Sequence, residues 1–301
     1  MYNDIKKLSE ELGCKVLVNE PMAKHTTFKI GGPADLFIRI FNINSLKVIL
    51  KEIIGNSLNY FLLGKGSNLL VSDLGFRGIV LKLDGDFNIV KKTDDTTVQC
   101  GSSASLAKAC VFALKNKLSG LEFAWGIPGT CGGATYMNAG AYNSDMSSII
   151  TNCMSIDKKG FIKNIEAKDL KLSYRKSIFS ENDDVILYTS MKLSPGDKNK
   201  IRSQMYKYIS RRKLKQPLEF PNSGSIFKRP PNNYAGTLIE KCGLKGKKIG
   251  DAMVSDKHAG FIINIGNATC QNVTDLIKFV QETVFNKTGI LLEREVIILG
   301  E

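Results

Sequence analysis

Between Gly126 and Gly140 the chain reads GIPGTCGGATYMNAG, five glycines with Pro128 fixing one bend. Such density costs folding entropy, because glycine loses more backbone freedom than any other residue. A turn that only reverses the chain rarely uses five. Main chain without side chains is what a bulky anionic ligand needs in order to come close. A second, shorter segment, LGKGSNLL (63–70), places Gly64 and Gly66 directly after a strand-like run. Successive N–H groups in such a turn can form an anion-binding concavity. The Walker spacing GxxxxGK[ST] is missing, and Leu69 stands where a dinucleotide fingerprint would carry its third glycine. Two glycine loops in one chain fit a long ligand whose diphosphate is held by main-chain donors, and a dinucleotide is the natural candidate.

Around these loops the pattern is mixed. Ile5, Leu8 and Leu12 share a helical face that stops at Gly13. ADLFIRIF (34–41) reads as a buried strand, followed by a helix carrying Leu46, Ile49 and Ile53 and ending at Gly55. YFLLG and GIVLKL read as strands, so residues 20–82 form a small α/β unit. Two short strands flank KTDDTT, and a helix runs from Ser105 to Lys117. Residues 151–193 are strand-rich with an acidic turn at Glu181 to Asp184. SPGDKNK (194–200) reads as a linker. Beyond it come a basic helix (201–213), a serine-bearing loop, a helix at Ala235 to Cys242, strands near 252 and 261, a long helix (270–287) and a last strand in REVIIL. The fold class is α+β, in three parts: 1–82, 83–196 and 197–301.

A chain of 301 residues is long for one core. No apolar run reaches the roughly 18 residues that span a bilayer. The start, MYNDIKKLSEELGC, is amphipathic and not a signal peptide. Seven dispersed cysteines without a CxxC pair or zinc spacing read as reduced thiols of a cytoplasmic protein. The net charge of +13 invites nucleic acid as a partner. Yet the lysines are spread along the chain, and only KYISRRKLKQP is dense. A nucleotide explains that cluster equally well, so no nucleic-acid partner and no membrane are expected, and the chain is read as a monomer.

FPNSGSIFKRPP (220–231) displays Ser223 and Ser225 around Gly224, with Lys228 and Arg229 following. A nucleophilic serine wants a histidine base oriented by a carboxylate. His25 and His258 are both remote in sequence, and both read as structural. A serine among cations suits a different role.

Seven ordered segments carry a resemblance: NEPMAKHTTFKIGGPADLF, LGKGSNLLVSD, GLEFAWGIPGTCGGATYMNAGAY, YRKSIF, PNSGSIFKRP, KHAGFIIN and LEREVIILG. In order and spacing they resemble the UDP-N-acetylenolpyruvoylglucosamine reductases, from about residue 19 to the end. The resemblance implies a two-lobed FAD-binding region of the vanillyl-alcohol-oxidase (PCMH) type plus a C-terminal αβ substrate-binding domain. The short stretch between Asn164 and Ser190 resembles the compact second type, which lacks an extra substrate-covering loop. The implied activity uses non-covalent FAD and NADPH to reduce UDP-N-acetylglucosamine enolpyruvate to UDP-N-acetylmuramate for peptidoglycan precursors. Hydride addition to the vinyl carbon leaves charge on the adjacent carbon, which must be stabilised and then protonated.

By matching motif, the resemblance gives Ser225 as proton donor, Arg175 as a clamp on the carboxylate or enolate, and Glu295 as its partner in orienting the substrate. Glu293 is the rival to Glu295, expected two residues away on one strand face. Many relatives carry arginine after the EV pair, where this chain has Ile297. Implied FAD contacts are Gly64, Lys65, Gly66, Ser67, Asn68, Gly129, Thr130, Gly132, Gly133, Ala134, Asn138 and Ala141. Implied substrate contacts are Tyr174, Arg211, Lys215, Gln216, Lys228 and Arg229. Cys131 reads as a small buried filler. Two rivals stay open: an oxidase of the same fold, with FAD tethered through a histidine, and a basic binding protein.

Overall fold

Residues 2–300 are described by the structure, a computed structural model. Met1 and Glu301, the outer limits of the first and last expected parts, lie outside the described residues. The chain forms two units, each gathered from three stretches: Met1–Val18, Leu36–Lys65 and Gly78–Ser210 make unit 1, and Asn19–Asp35, Gly66–Arg77 and Arg211–Glu301 make unit 2.

Unit 1 holds most of two sheets. In the first, strands Lys15–Pro21, Pro33–Ile40, Phe76–Leu83 and Tyr60–Leu62 lie in that order. Helix Ile43–Gly55 buries Leu46, Ile49, Leu50 and Ile53 with Ile38, Ile40 and Leu81 of this sheet. Each such side chain contributes about 1.5–3 kcal/mol when fully removed from water. Asn42 caps the helix by accepting the Ser45 N–H at 2.9 Å. The second sheet is antiparallel, in the order Ile162–Glu166, Ile150–Ile156, Val185–Lys192, Thr97–Gly101, Val90–Lys92. Strand alternation divides its side chains between two cores. Val185 and Leu187 join the first core and Ile186 a second one with Leu106, Cys110, Cys131 and Met205; an irregularity opposite Met154 and Ser155 then shifts the alternation, so that Met191 also joins the second core.

The expected linker at 194–200 is instead built into unit 1. Ser194–Pro195 pairs with Leu118–Ser119, and the Gly196 N–H donates to the Lys117 carbonyl at 2.8 Å. Asp197 then accepts the Asn199 and Lys200 N–H groups at 3.1 and 2.9 Å, so the basic helix starts early and spans Lys198–Lys215. The expected acidic turn contains a short helix, Phe179–Asn182, closed by Asp183 at φ +57°.

Unit 2 centres on an antiparallel sheet in the order Asn222–Ser225, Phe261–Asn264, Ala252–Val254, Lys248–Ile249. Helix Cys270–Thr288 buries the stripe Val273, Leu276, Ile277, Val280 and Val284, as its periodicity predicts. It begins at a Thr269–Asn272 capping box and ends at Gly289, φ +70°. The serine stretch expected as a loop is an edge strand: Asn222 lies opposite Ile263 and Ser225 opposite Phe261, with an irregularity between them. The last strand is shorter than expected. It comprises only Ile297–Leu299, parallel to Leu69–Val71, so Glu293 and Glu295 precede it and the shared strand face expected for them does not exist. Among the described residues no helix is long and apolar enough to cross a membrane.

Candidate active site

In unit 1 the two glycine segments meet. A Cβ added to Gly64 would lie 3.1 Å from the Thr130 hydroxyl, and Thr130 itself caps the short helix Cys131–Tyr136 by accepting the Gly133 N–H at 3.2 Å. The second loop runs along residues 102–106: Cys131 N–H donates to the Ala104 carbonyl, Gly132 N–H to Ser102, and Leu106 N–H to Gly129. Gly132 is pressed so closely on Ser102 that an added Cβ would meet its side chain at 2.6 Å. Gly129 and Gly133, by contrast, have only one neighbouring side-chain atom each within 4 Å of such a Cβ, and Gly133 is exposed. The loop therefore has a packed side and an open side.

Two buried hydroxyls beside it, Ser102 and Ser103, lack a hydrogen-bond partner among the described residues. Buried hydroxyls are normally satisfied, so their isolation next to open glycine main chain fits a polar ligand. These serines escaped the sequence reading, although GSSAS directly after a strand repeats the small-residue signal of the loops. Lys65 is exposed, and Ala134 is buried with Cys131 and Thr135. The Cys131 thiol is fully buried and pushed well above its ordinary range, first by a hydrogen bond with Cys100 and then by burial. Such a thiol is inert, a core filler. All seven cysteines are buried.

Arg175 sits on a tight reversal in unit 1. Ser173 and Lys176 exchange two hydrogen bonds of 3.1 Å, leaving Tyr174 and Arg175 as the turn, with Arg175 at φ +57°. The guanidinium carbon lies 4.8 Å from the centre of the Tyr174 ring, which is 53 % exposed. Asn138 stands at φ +40° with its side chain engaged inside the protein: Nδ2 donates to the Ser173 carbonyl and Oδ1 accepts from Ser147. Ala141 and Tyr142 lie on a neighbouring hairpin, where Tyr142 stacks on Tyr208 of the basic helix at 3.9 Å and donates to its carbonyl.

In unit 2, Gly66, Ser67 and Asn68 continue the first loop. Gly66, at φ +64°, packs on the His25 carbonyl so closely that a Cβ would lie 2.2 Å away. His25 is held by Glu20 at 3.0 Å. Asn68 reaches the end of the chain: its Nδ2 donates to the Glu295 carbonyl at 3.1 Å, and its own carbonyl accepts the Ile297 N–H at 3.1 Å. The Glu295 N–H donates to the Ile226 carbonyl at 2.8 Å, next to Ser225. Ser225 Oγ donates to the Phe227 carbonyl at 3.0 Å and is half-buried. Gly224 before it takes φ +80° with nothing near its open side, and Asn222 Oδ1 accepts its N–H.

Of the cationic candidates in unit 2, Lys228 pairs with Glu293, and the Arg229 guanidinium lies 4.1 Å from the centre of the Tyr234 ring. Arg211 and Lys215 are exposed along the last turn of the basic helix, where Gln216 Oε1 is buried without a hydrogen-bond partner among the described residues. An open hollow of about 320 Å³ in this unit is lined by Lys29, Gly32, Asp73 and Asn264, and by none of the candidates. Asp73 there is already used, accepting the N–H groups of Cys270 and Gln271. His258 is a packing residue. Its Nδ1 accepts the Gly260 N–H at 3.1 Å, its ring meets Phe261 edge-on, and Gly236 and Gly260 make room for it.

Two family models match the chain. An FAD binding domain covers residues 34–165, and the C-terminal domain of UDP-N-acetylenolpyruvoylglucosamine reductase covers residues 216–299. The matched FAD binding domain, in which the glycine main chain has an open side, places the chain among flavin-dependent oxidoreductases. The reductase of that name from Clostridium tetani is 45% identical over 302 residues, covering 100% of this chain and 98% of the relative. The one from Caldanaerobacter subterraneus is 44% identical over 95% of this chain and 94% of its own. The crystal structure of the Thermus caldophilus reductase superposes with a TM-score of 0.81 at 31% identity, over 95% of this chain and 98% of that one. The chain belongs to the UDP-N-acetylenolpyruvoylglucosamine reductase family.

Proposed function

We infer that this protein reduces UDP-N-acetylglucosamine enolpyruvate to UDP-N-acetylmuramate with NADPH, the reductive step toward peptidoglycan precursors. FAD, when bound, supplies the chemistry of accepting hydride from NADPH and passing it to the vinyl carbon. Gly64, Gly129, Thr130 and Gly133 present the open main chain to that cofactor, with the Ser102 and Ser103 hydroxyls beside it. Lys65, Gly66, Ser67, Asn68, Gly132 and Ala134 complete the loops and fix their shape. Arg175 clamps the substrate carboxylate through its planar fork. Glu295 orients the same group. Ser225 gives its proton to the carbon next to the one reduced, so its hydroxyl turns away from the Phe227 carbonyl when substrate is in place. Arg211, Lys215, Gln216, Lys228, Arg229 and Tyr174 receive the UDP-sugar. The protein acts as a monomer in the cytoplasm, where its nucleotide substrates are found and its thiols stay reduced.

The observation that carries this reading is the Glu295 N–H bonded to the Ile226 carbonyl. That main-chain tie holds a carboxylate residue beside a serine that has no histidine base. An acid role for Ser225 makes sense of the pair, and a nucleophile role does not.

The test separates the two half-reactions. Purified protein should absorb near 450 nm, the approximate flavin band. In stopped flow, Ser225→Ala should be reduced by NADPH at the wild-type rate and fail selectively on reoxidation by the enolpyruvyl substrate. Equal losses in both halves would remove Ser225 from the proton-donor role. Oxygen consumption independent of NADPH would instead support an oxidase.

A further inference from the structure

The turn that carries Arg175 is fastened at both of its feet to one short segment. On one side Asn138 Nδ2 donates to the Ser173 carbonyl at 3.0 Å. On the other, Ser177 Oγ donates to the Tyr136 carbonyl at 2.7 Å. Tyr136 and Asn138 flank the exit of the helix Cys131–Tyr136, which opens on Gly132 and Gly133. Both fasteners are buried, Asn138 at 2 % and Ser177 at 0 % exposure. Asn138 is fixed in turn, since its Oδ1 accepts the Ser147 N–H at 2.9 Å and its backbone takes φ +40°. Asparagine is among the few residues that occupy such a φ with little strain.

We propose that Asn138 and Ser177 are positioning residues that lock the Arg175 turn to the exit of the glycine helix, so that the guanidinium is aimed by the same segment that shapes the second glycine loop. This rests on the reading of Arg175 as the carboxylate clamp. It gives the Asn138 side chain a duty toward the substrate side, because both ends of its amide are used on protein main chain. A turn of two residues with a positive φ at its second position is ordinarily made by glycine or asparagine. An arginine there needs surroundings that hold it, and the two buried side chains are those surroundings.

Truncating Asn138 orphans nothing outright. The Ser173 carbonyl keeps the Lys176 N–H at 3.1 Å, and the Ser147 N–H keeps Asp145 Oδ1 at 3.1 Å. Asn138→Ala therefore loses the orientation of the turn without leaving a buried partner unpaired, and because alanine is also strained at φ +40°, Ser177→Ala serves as the variant free of that strain.

The experiment compares Asn138→Ala, Ser177→Ala, Arg175→Ala and the double variant Asn138→Ala/Arg175→Ala in the full-length holoenzyme. For the two single positioning variants the expected result is wild-type flavin content and NADPH half-reaction, with reoxidation by the enolpyruvyl substrate slowed roughly tenfold. The double variant should be no slower than Arg175→Ala alone, since residues acting as one unit are not additive. Loss of flavin or equal slowing of both halves in Asn138→Ala would overturn the proposal, as would fully additive losses. Should Asn138→Ala prove insoluble, the same split in Ser177→Ala decides. An inactive Arg175→Ala beside unaffected Asn138→Ala and Ser177→Ala overturns the proposal alone. A fully active Arg175→Ala overturns the clamp reading itself and the proposal with it.

Discussion

Asn68 holds Glu295 through the main chain: the Asn68 amide donates to the Glu295 carbonyl at 3.1 Å, while the Asn68 carbonyl takes the N–H of Ile297 two residues on. With the Ile226 tie on its other side, the backbone of Glu295 is fixed from two directions. Glu293 is in a different position, 71 % exposed and paired with Lys228. Exposed pairs of this kind contribute about 0–1 kcal/mol. Glu293→Gln is therefore expected to keep substrate reduction within about threefold of wild type, a change matching that energy. Glu295→Gln should slow reoxidation by roughly 100-fold or more, the scale of losing one pre-organised polar partner in a site. Steady-state and half-reaction kinetics on the two variants check this, and the reverse order would transfer the role to Glu293.

Arg175 is expected to trade stability against activity. At φ +57° its backbone is in a region that costs a side-chain-bearing residue about 1–2 kcal/mol. Arg175→Gly removes that strain but adds roughly 0.5–1 kcal/mol of unfolded-chain freedom. The variant should be as stable as wild type or slightly more so in urea titration. Substrate reduction should fall about 100- to 1,000-fold. A variant that is both destabilised and active would contradict the turn assignment.

The adjacent glycines 132 and 133 should behave oppositely. Alanine at 132 drives its Cβ to 2.6 Å from the Ser102 side chain and 3.0 Å from its carbonyl. Overpacking of this kind costs about 1–3 kcal/mol, more than the helix gains from alanine. Alanine at 133 meets only the Thr130 hydroxyl, at 3.3 Å. Gly133→Ala should leave the apoprotein unchanged or up to about 1 kcal/mol more stable, yet weaken FAD because the methyl enters the open side. Thermal unfolding of apoprotein together with flavin retention on gel filtration separates the two outcomes.

His258 sets a pH limit on unit 2. Burial is the main cause that lowers its pKa from 6.5, and Lys245 and Lys215 act in the same direction against Glu240. The unfolded chain thus binds the proton first as pH falls. By linkage, the stability that comes from keeping this ring neutral is fully present above about pH 6.5 and is lost as pH drops from there through the lower folded value. Urea midpoints at pH 7.5 and 5.5 should fall more for wild type than for His258→Gln. Equal falls would place the pH sensitivity elsewhere.

Local pattern carried much of this architecture. The stripe Val273, Leu276, Ile277, Val280 and Val284 announced its helix, and Leu46, Ile49 and Ile53 announced another, because amphipathic spacing is written within a few turns. Asn222–Ser225 gave no such notice. NSGS has no apolar alternation, and its strand exists through main-chain pairing with Phe261 and Ile263 around a glycine at φ +80°. SPGDKNK misled for a related reason, since Asp197 caps the next helix and the Pro–Gly pair lies against Leu118–Ser119. The glycine loops were legible from the residues themselves, whereas the roles of Arg175, Ser225 and Glu295 came only through resemblance to a family. What motif order could not convey is the wiring, such as Asn68 to Glu295 or Asn138 to Ser173, in which partners far apart in sequence meet.

The parallel pairing of Ile297–Leu299 with Leu69–Val71 also bears on synthesis. Leu70 is wholly buried in unit 2, and its neighbour strand lies more than two hundred residues later in the chain. On the ribosome, residues 66–77 emerge with that apolar surface uncovered and remain so until more than two hundred further residues have been added. Unit 2 can complete itself only once Ile297–Leu299 are available to pair, and a partly made chain in this state is the form most in need of a chaperone.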